Sequence, residues 1–220
     1  MTDLKKDIIY RRIKELIISG FYPMGAKISE GMLEHELQGN KAPIRDALKR
    51  LAAEKLVDRK AKSGTYVFSL NSRELDEMLH FRYVIESEAA LLSMRFEPDL
   101  LMQEIGVVID RMRECMEDSK IGEYLRLDSR FHELLVSHCG NRYFIESFSN
   151  ISAIMDTVRN CLGSNTDHLE RSFKQHLEIA KTINARDVKG FTDVYRAHLL
   201  AECGSYWSPD NLQNKIKICD

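Results

Sequence analysis

The chain has 220 residues, of which 44% are hydrophobic and 30% are charged, so it can bury a core and is not a disordered chain. Its net charge of −2 at first disfavours a nucleic-acid binder. The charge is unevenly divided, however: residues 1–70 carry 14 Lys and Arg against 9 Asp and Glu, a net of +5, and residues 71–220 carry −7. This asymmetry predicts a basic part that binds an anion and an acidic part with a different function.

The compartment signals point to a cytoplasmic protein without membrane contact. The N-terminal residues lead into an amphipathic stretch with no apolar secretory segment, and no apolar run approaches the roughly 20 residues of a membrane span. The five cysteines are odd in number and widely separated. We therefore expect reduced thiols rather than a disulfide framework or a thiolate zinc site.

The first 70 residues predict three helices. Apolar residues at helical spacing indicate a first helix over residues 4–19. Ser29 is a good N-cap for a second helix that runs through Leu37. After a tight turn, a third helix is expected to start near Pro43, because proline suits a first helical turn.

Two short extended segments, residues 57–59 and 65–68, follow the third helix and predict a basic hairpin with Gly64 at its tip. This order is typical of a winged helix-turn-helix. Basic residues along the third helix fit major-groove reading, because Lys and Arg donate to guanine and to phosphates. A solvated charged face explains the same residues, and the charges alone leave both readings open. The residues concerned are Lys41, Arg45, Lys49 and Arg50.

From residue 71 onward the pattern is helical, which predicts a mainly α protein in which a six-helix bundle follows the winged helix-turn-helix. We expect three parts: residues 1–70, residues 71–207, and a loosely ordered tail over 208–220. The predicted helices span 72–96, 98–118, 121–138, 141–162, 167–185 and 188–206.

One acid–histidine pair stands out in the bundle. Asp128 and His132 are four residues apart, so both lie on one helix face, where they suit a divalent cation. His176 and His198 lie mid-helix among apolar residues and could converge on the same face. Spacing alone leaves open the alternative that these are hydrogen-bonded core histidines.

Several ordered motifs resemble those of GntR-family bacterial transcription regulators. The stretch 40–51, Asn-Lys-Ala-Pro-Ile-Arg-Asp-Ala-Leu-Lys-Arg-Leu, is similar to the turn and recognition helix of that family, and 64–67, Gly-Thr-Tyr-Val, to its wing. The helical part resembles the effector domain of the FadR group (FCD type), and it is closer to the shorter VanR-type branch. That likeness rests on Arg82 with Glu86, on Asp128 with Phe131 and His132, and on Asn141, His176 and His198.

The resemblance implies a regulator, not an enzyme, that binds a short palindromic operator in double-stranded DNA as a homodimer and is more often a repressor. It assigns DNA contacts to Lys41 and Arg45, with Lys49 nearby, and to Gly64 at the wing tip.

For the helical domain, the resemblance implies one divalent metal ion, with Zn, Ni or Mn most suited to such ligands. The ligands it implies are Asp128, His132, His176 and His198. A small organic carboxylate would complete the site, with Arg82 as its second anchor. Two alternatives remain at this point: a metal-dependent hydrolase or lyase using the same residues, and a regulator whose metal is purely structural.

Overall fold

The computed structural model describes residues 2–162, 166–203, 205 and 207. The described chain forms two compact units. Of the described residues, the first unit contains 2–70 together with 153–161, and the second contains 71–152, 162 and those from 166 onward. Each unit has its own buried core, and the mainly α fold predicted from the sequence is confirmed.

The first unit begins with three helices and a small sheet. Ser29 caps the second helix as predicted, because its side chain accepts a hydrogen bond from Met32 N. The third helix begins at Lys41, two residues before Pro43. The elements are α1 (Thr2–Ile18), β1 (Lys27–Ile28), α2 (Glu30–Leu37), α3 (Lys41–Ala53), β2 (Val57–Lys60) and β3 (Gly64–Val67).

The sheet has three strands among the described residues, in the order β1-β3-β2, rather than the two of the predicted hairpin. Strand β1 pairs antiparallel with β3, so Lys27 lies opposite Tyr66. Two residues between a turn and a helix N-cap carry no alternating pattern that would have revealed this strand. The third strand brings an exposed lysine to the wing.

The second unit is built from helices packed around one large apolar core, with a small second cluster formed by Ala89, Val136 and Cys139. A capping box formed by Asn71 and Glu74 starts the first helix of this unit, and a proline in the first turn starts the second. The helices are α4 (Ser72–Phe96), α5 (Pro98–Glu117), α6 (Ile121–Ser137), α7 (Arg142–Leu162), α8 (Thr166–Asn184) and α9 (Val188–Leu199); residues 153–161 of α7 belong to the first unit.

The last predicted helix is shorter than expected. It ends at Leu199 instead of residue 206, and a single 3-10 turn, Ala201–Cys203, follows. Ser205 Oγ donates to the His198 carbonyl, a bond that holds the chain against the end of α9. The predicted tail over 208–220 lies outside the described residues. Among the helices that are described, none is both long and apolar enough to cross a membrane.

Candidate DNA-reading helix and metal centre

Helix α3 has one buried face and one basic face. Ile44, Leu48 and Leu51 are buried in the first unit, with exposures of 0%, 4% and 0%. The side chains predicted to contact DNA, namely Lys41, Arg45 and Lys49, are more than half exposed. The apolar positions therefore orient α3 so that its basic residues face solvent together.

The three cations differ in how they are held. Arg45 donates through Nε and Nη2 to both carboxylate oxygens of Glu30, at 2.9 and 2.8 Å. Lys41 lies 3.8 Å from a Glu34 oxygen and Lys49 lies 3.7 Å from an Asp46 oxygen, beyond hydrogen-bond distance. The hydrogen bond from Arg45 also lowers the pKa of Glu30, so the carboxylate stays ionised at neutral pH.

The wing places further cations beside Gly64. That glycine has a φ of 129°, a conformation that L side chains rarely adopt, so the turn requires glycine here. Lys27 Nζ and Lys60 Nζ lie 5.8 and 5.1 Å from the centre of the Tyr66 ring. A hydrogen bond with Ser63 and the two nearby lysines lower the pKa of Tyr66. Lys27 was not among the predicted DNA-contacting residues.

In the second unit, the four predicted metal-ligating residues come together from α6, α8 and α9. His132 Nε2 lies 3.4 Å from His176 Nε2 and 3.3 Å from His198 Nε2. The Asp128 carboxylate faces the same point, with Oδ1 3.6 Å from His176 Nε2 and Oδ2 3.9 Å from His132 Nε2. All four side chains are buried. The convergence predicted on the Asp128 face is present in this arrangement.

Hydrogen bonds on the far side of two rings fix their tautomers. His132 Nδ1 donates to Glu86 Oε2 at 2.7 Å, because a carboxylate only accepts. His198 Nδ1 donates to Gln175 Oε1 at 2.9 Å, since the amide nitrogen of Gln175 is directed to the Ala197 carbonyl. Both rings consequently turn an Nε2 lone pair toward the shared point.

These groups fit a metal ion. Two nitrogen lone pairs 3.3 Å apart repel one another unless a proton or a metal ion lies between them. Ligands at ~2.0–2.1 Å from a tetrahedral metal are roughly 3.3–3.4 Å apart, which matches the two separations from His132. Burial, followed by the influence of His176, His132 and Arg82, holds the pKa of His198 well below 6.5, so that ring stays neutral. Neutral imidazole is the form that binds metal.

A buried ion pair adjoins the histidines. Arg82 and Glu86, one helical turn apart on α4, have side-chain exposures of 1% and 0%, and Arg82 Nε donates to Glu86 Oε1. Tyr195 and His132 both donate to the other Glu86 oxygen. Burial, the largest single influence, lowers the pKa of Arg82, but Glu86, Tyr195 and Asp128 together outweigh it and raise the pKa overall.

The Arg82 guanidinium has hydrogen-bond donors that are not used. Within the described part of the chain, its Nη1 and Nη2 groups have no hydrogen-bond partner although both are buried. A buried guanidinium nitrogen without a partner is costly, so an acceptor such as a carboxylate ligand or ordered water is expected there. The resemblance gave Arg82 as an anchor for a carboxylate effector and Glu86 only as part of a family motif, whereas Gln175 and Tyr195 were missed because they carry no spacing signal.

Comparison with known proteins identifies the chain. Residues 5–67 match the family model described as bacterial regulatory proteins, gntR family, and residues 77–201 match the FCD domain. The chain is an FCD-domain member of the GntR family. The resemblance inferred from its motifs is thereby confirmed, and the two matched regions correspond to the basic and the acidic parts of the sequence.

Relatives of this GntR-family chain are transcription regulators, not enzymes. It is 28% identical to the gluconate operon transcriptional repressor of Bacillus licheniformis over 78% of this chain and 72% of that protein. It is 22% identical to the transcriptional repressor RspR of Escherichia coli, over 87% and 84% of the two chains. The hydrolase or lyase alternative is set aside on this evidence.

Solved structures support the same fold. A GntR transcriptional regulator from Rhodococcus sp. RHA1 matches with a TM-score of 0.76 at 18% identity, covering 89% of this chain and 93% of that one. McbR/YncC of Escherichia coli matches with a TM-score of 0.73 at 18% identity, covering 90% and 92%. The winged helix-turn-helix followed by a helical domain is therefore a known architecture.

Proposed function

We propose that this GntR-family regulator is a homodimeric, cytoplasmic repressor whose affinity for its operator is controlled by a small organic carboxylate bound at a metal site. The observation that carries this proposal is the buried convergence of three imidazole nitrogens and a carboxylate, next to a buried guanidinium with unused donors. The sign of regulation is supported by relatives that are named repressors.

In the proposed DNA complex, each copy inserts α3 into the major groove at one half of a short palindrome. Lys41, Arg45 and Lys49 would contact bases and phosphates, which their shared exposed face supports. Gly64 would let the wing backbone approach the minor groove, since it presents no side chain. A two-fold operator requires two copies, which is why the proposal includes a homodimer.

In the helical domain, the metal ligands would be the residues predicted from the sequence: Asp128, His132, His176 and His198. Three imidazoles and a carboxylate suit Zn, Ni or Mn, and an ion that expands from four to five or six ligands would have a coordination position for an oxygen ligand. The bound cation would supply a strong positive charge for an anionic effector. Glu86 and Gln175 would orient two of the rings, as their hydrogen bonds indicate.

The effector would be held at two points. One carboxylate oxygen would reach the metal, and Arg82 would donate from the Nη groups that lack partners in the described structure. A small hydroxy acid or sugar acid is a reasonable first class to test, since one relative is named for a gluconate operon. A ligand regulates only if its affinity differs between the operator-binding form and the other form.

The test is a fluorescence anisotropy titration of full-length protein on its operator at stated salt, with a panel of small carboxylates including gluconate. The operator is obtained first by selection from randomised duplexes. We expect one acid to weaken operator binding, the effect to vanish after chelation, and elemental analysis to find one divalent metal per chain.

A control variant separates effector binding from folding. Arg82→Lys keeps the positive charge beside Glu86 but loses the paired donors of the guanidinium, so it should reduce the response to the acid while operator affinity without acid persists. If chelation lowers thermal stability while no acid changes operator affinity, the metal is structural and the sensing proposal fails. If the protein selects no sequence from the pool, the DNA-reading proposal fails.

A further inference from the structure

The exposed surface of the first unit contains an ion pair that joins α2 to α3 through two parallel hydrogen bonds. Arg45 and Glu30 form it with donor–acceptor distances of 2.9 and 2.8 Å. Arg45 remains 54% exposed and Glu30 31% exposed, so the pair is accessible to a macromolecule on this face. The neighbouring pair of Lys41 with Glu34 is looser, at 3.8 Å.

The geometry of the pair determines which donors Arg45 has left. A guanidinium has five N–H donors, and Glu30 takes the one on Nε and one of the two on Nη2. The outer edge of the group, formed by Nη1 and Nη2, therefore stays available. A guanine presents O6 and N7 in the major groove at the spacing that such an edge recognises. Binding to a phosphate would require no such fixed orientation.

The charge of the pair matters as well. Glu30 neutralises Arg45 locally, so the pair together adds little to the counterion release that drives non-specific binding. Its carboxylate also stands among the cations predicted to approach the DNA. Such an acid weakens binding to any duplex that offers no compensating base contact.

We propose that Glu30 is a positioning residue for sequence reading, which holds Arg45 so that its outer edge meets a guanine in each half-site and which reduces affinity for duplexes without that guanine. This inference rests on the proposed DNA-reading role of α3. It predicts opposite changes in specificity and in non-specific affinity when the charge on Glu30 is removed.

The variant Glu30→Gln should bind random-sequence duplex more tightly, with a salt dependence steeper by about one unit of slope, because one negative charge is lost. The same variant should lose most of the preference for guanine at one position of each half-site. That preference is expected to be about 5- to 100-fold in the wild-type chain, which is the usual discrimination of a paired arginine–guanine contact.

The matched control is Glu34→Gln. It removes one negative charge from the same helix, beside Lys41, without breaking a paired hydrogen bond. It should raise affinity for all duplexes alike and leave base preferences unchanged. A second variant, Arg45→Lys, keeps the cation but cannot form the fork; it should lose the guanine preference without the gain in non-specific affinity.

The experiment is selection from a randomised duplex pool with the full-length wild-type chain and the three variants, followed by anisotropy measurements over a range of salt concentrations. Thermal unfolding of each variant checks folding, and Arg45→Lys keeps the test open if Glu30→Gln does not fold. The inference is overturned if Glu30→Gln keeps the guanine preference or changes DNA binding in the same way as Glu34→Gln. A wild-type chain that selects no sequence instead overturns the proposed DNA-reading role itself.

Discussion

Two Arg–Glu pairs on α4 have the same spacing and opposite environments, and they allow a matched test of the buried charges near the histidines. Arg82 and Glu86 have exposures of 1% and 0%, whereas Arg73 and Glu77 have 87% and 60%. Glu86→Gln leaves the Arg82 charge buried without its counter-ion. Glu77→Gln removes the same chemical group from a solvated helix surface.

The expected costs differ about tenfold. Removing one partner of a buried ion pair costs about 3–5 kcal/mol, because the remaining charge stays desolvated. An exposed pair one turn apart contributes only about 0.3–0.5 kcal/mol. For a chain of this size, 1 kcal/mol corresponds to about 2–4 °C in Tm, so Glu86→Gln should lower the Tm of the second unit by roughly 6–20 °C. Glu77→Gln should change it by no more than about 2 °C.

The assay is differential scanning calorimetry of the metal-free full-length variants side by side, followed by metal titration. Because Glu86 also accepts from His132, we expect its Gln variant to bind divalent metal about 10- to 100-fold more weakly, while Glu77→Gln binds it normally. If the two variants unfold at the same temperature, Glu86 does not act as an ionised counter-charge, and the description of this buried network is refuted.

Three further predictions follow from individual positions. Gly64→Ala should lower both Tm and DNA affinity, because alanine at a φ of 129° is strained by about 1–3 kcal/mol; unchanged values for both would mean that the wing turn tolerates a side chain. Asn71→Ala removes the cap of α4, in which Asn71 Oδ1 accepts from Glu74 N at 2.9 Å, and should cost about 1 kcal/mol in urea unfolding; a cost near zero would show that the cap is unimportant. The metal-free protein should lose stability as the pH falls below 6.5, since the unfolded chain binds a proton at His198 that the folded chain, with its lowered pKa, does not. Urea unfolding above and below that pH should show a smaller loss in His198→Gln, and an equal loss would exclude His198 as the source.

Local sequence patterns predicted much of the fold. The helix from Ser72 to Phe96 was predicted at the residues where it is found, since a cap at one end and a proline after the other are both local signals. Strand β1 was missed because two residues without alternation become a strand only by pairing with β3. The end of α9 was placed too late, because the turn at residues 201–203 depends on contacts such as that of Ser205 with the His198 carbonyl.

The candidate metal site was likewise predictable only in part from the sequence. Asp128 and His132 share a helix face by spacing alone, so their pairing could be read directly from the sequence. His176 and His198 were candidates for the same face from their mid-helix positions and were assigned as ligands by resemblance. The spacing of residues on separate helices could not establish that their Nε2 atoms lie 3.4 and 3.3 Å from His132 Nε2. Gln175 and Tyr195, which complete the hydrogen bonds around the rings and Glu86, carry no periodic signal at all.

The sequence by itself therefore determined the basic and acidic division, the helices with their caps, and the motifs of a GntR-family regulator. These depend on charge, periodicity and neighbouring residues, which act over a turn or two of chain. Tertiary structure alone decided the tautomers of His132 and His198 and the unused donors of Arg82. It also decided the pairing of Glu30 with Arg45. These features arise from burial and from hydrogen bonds between helices, and a one-dimensional pattern records neither.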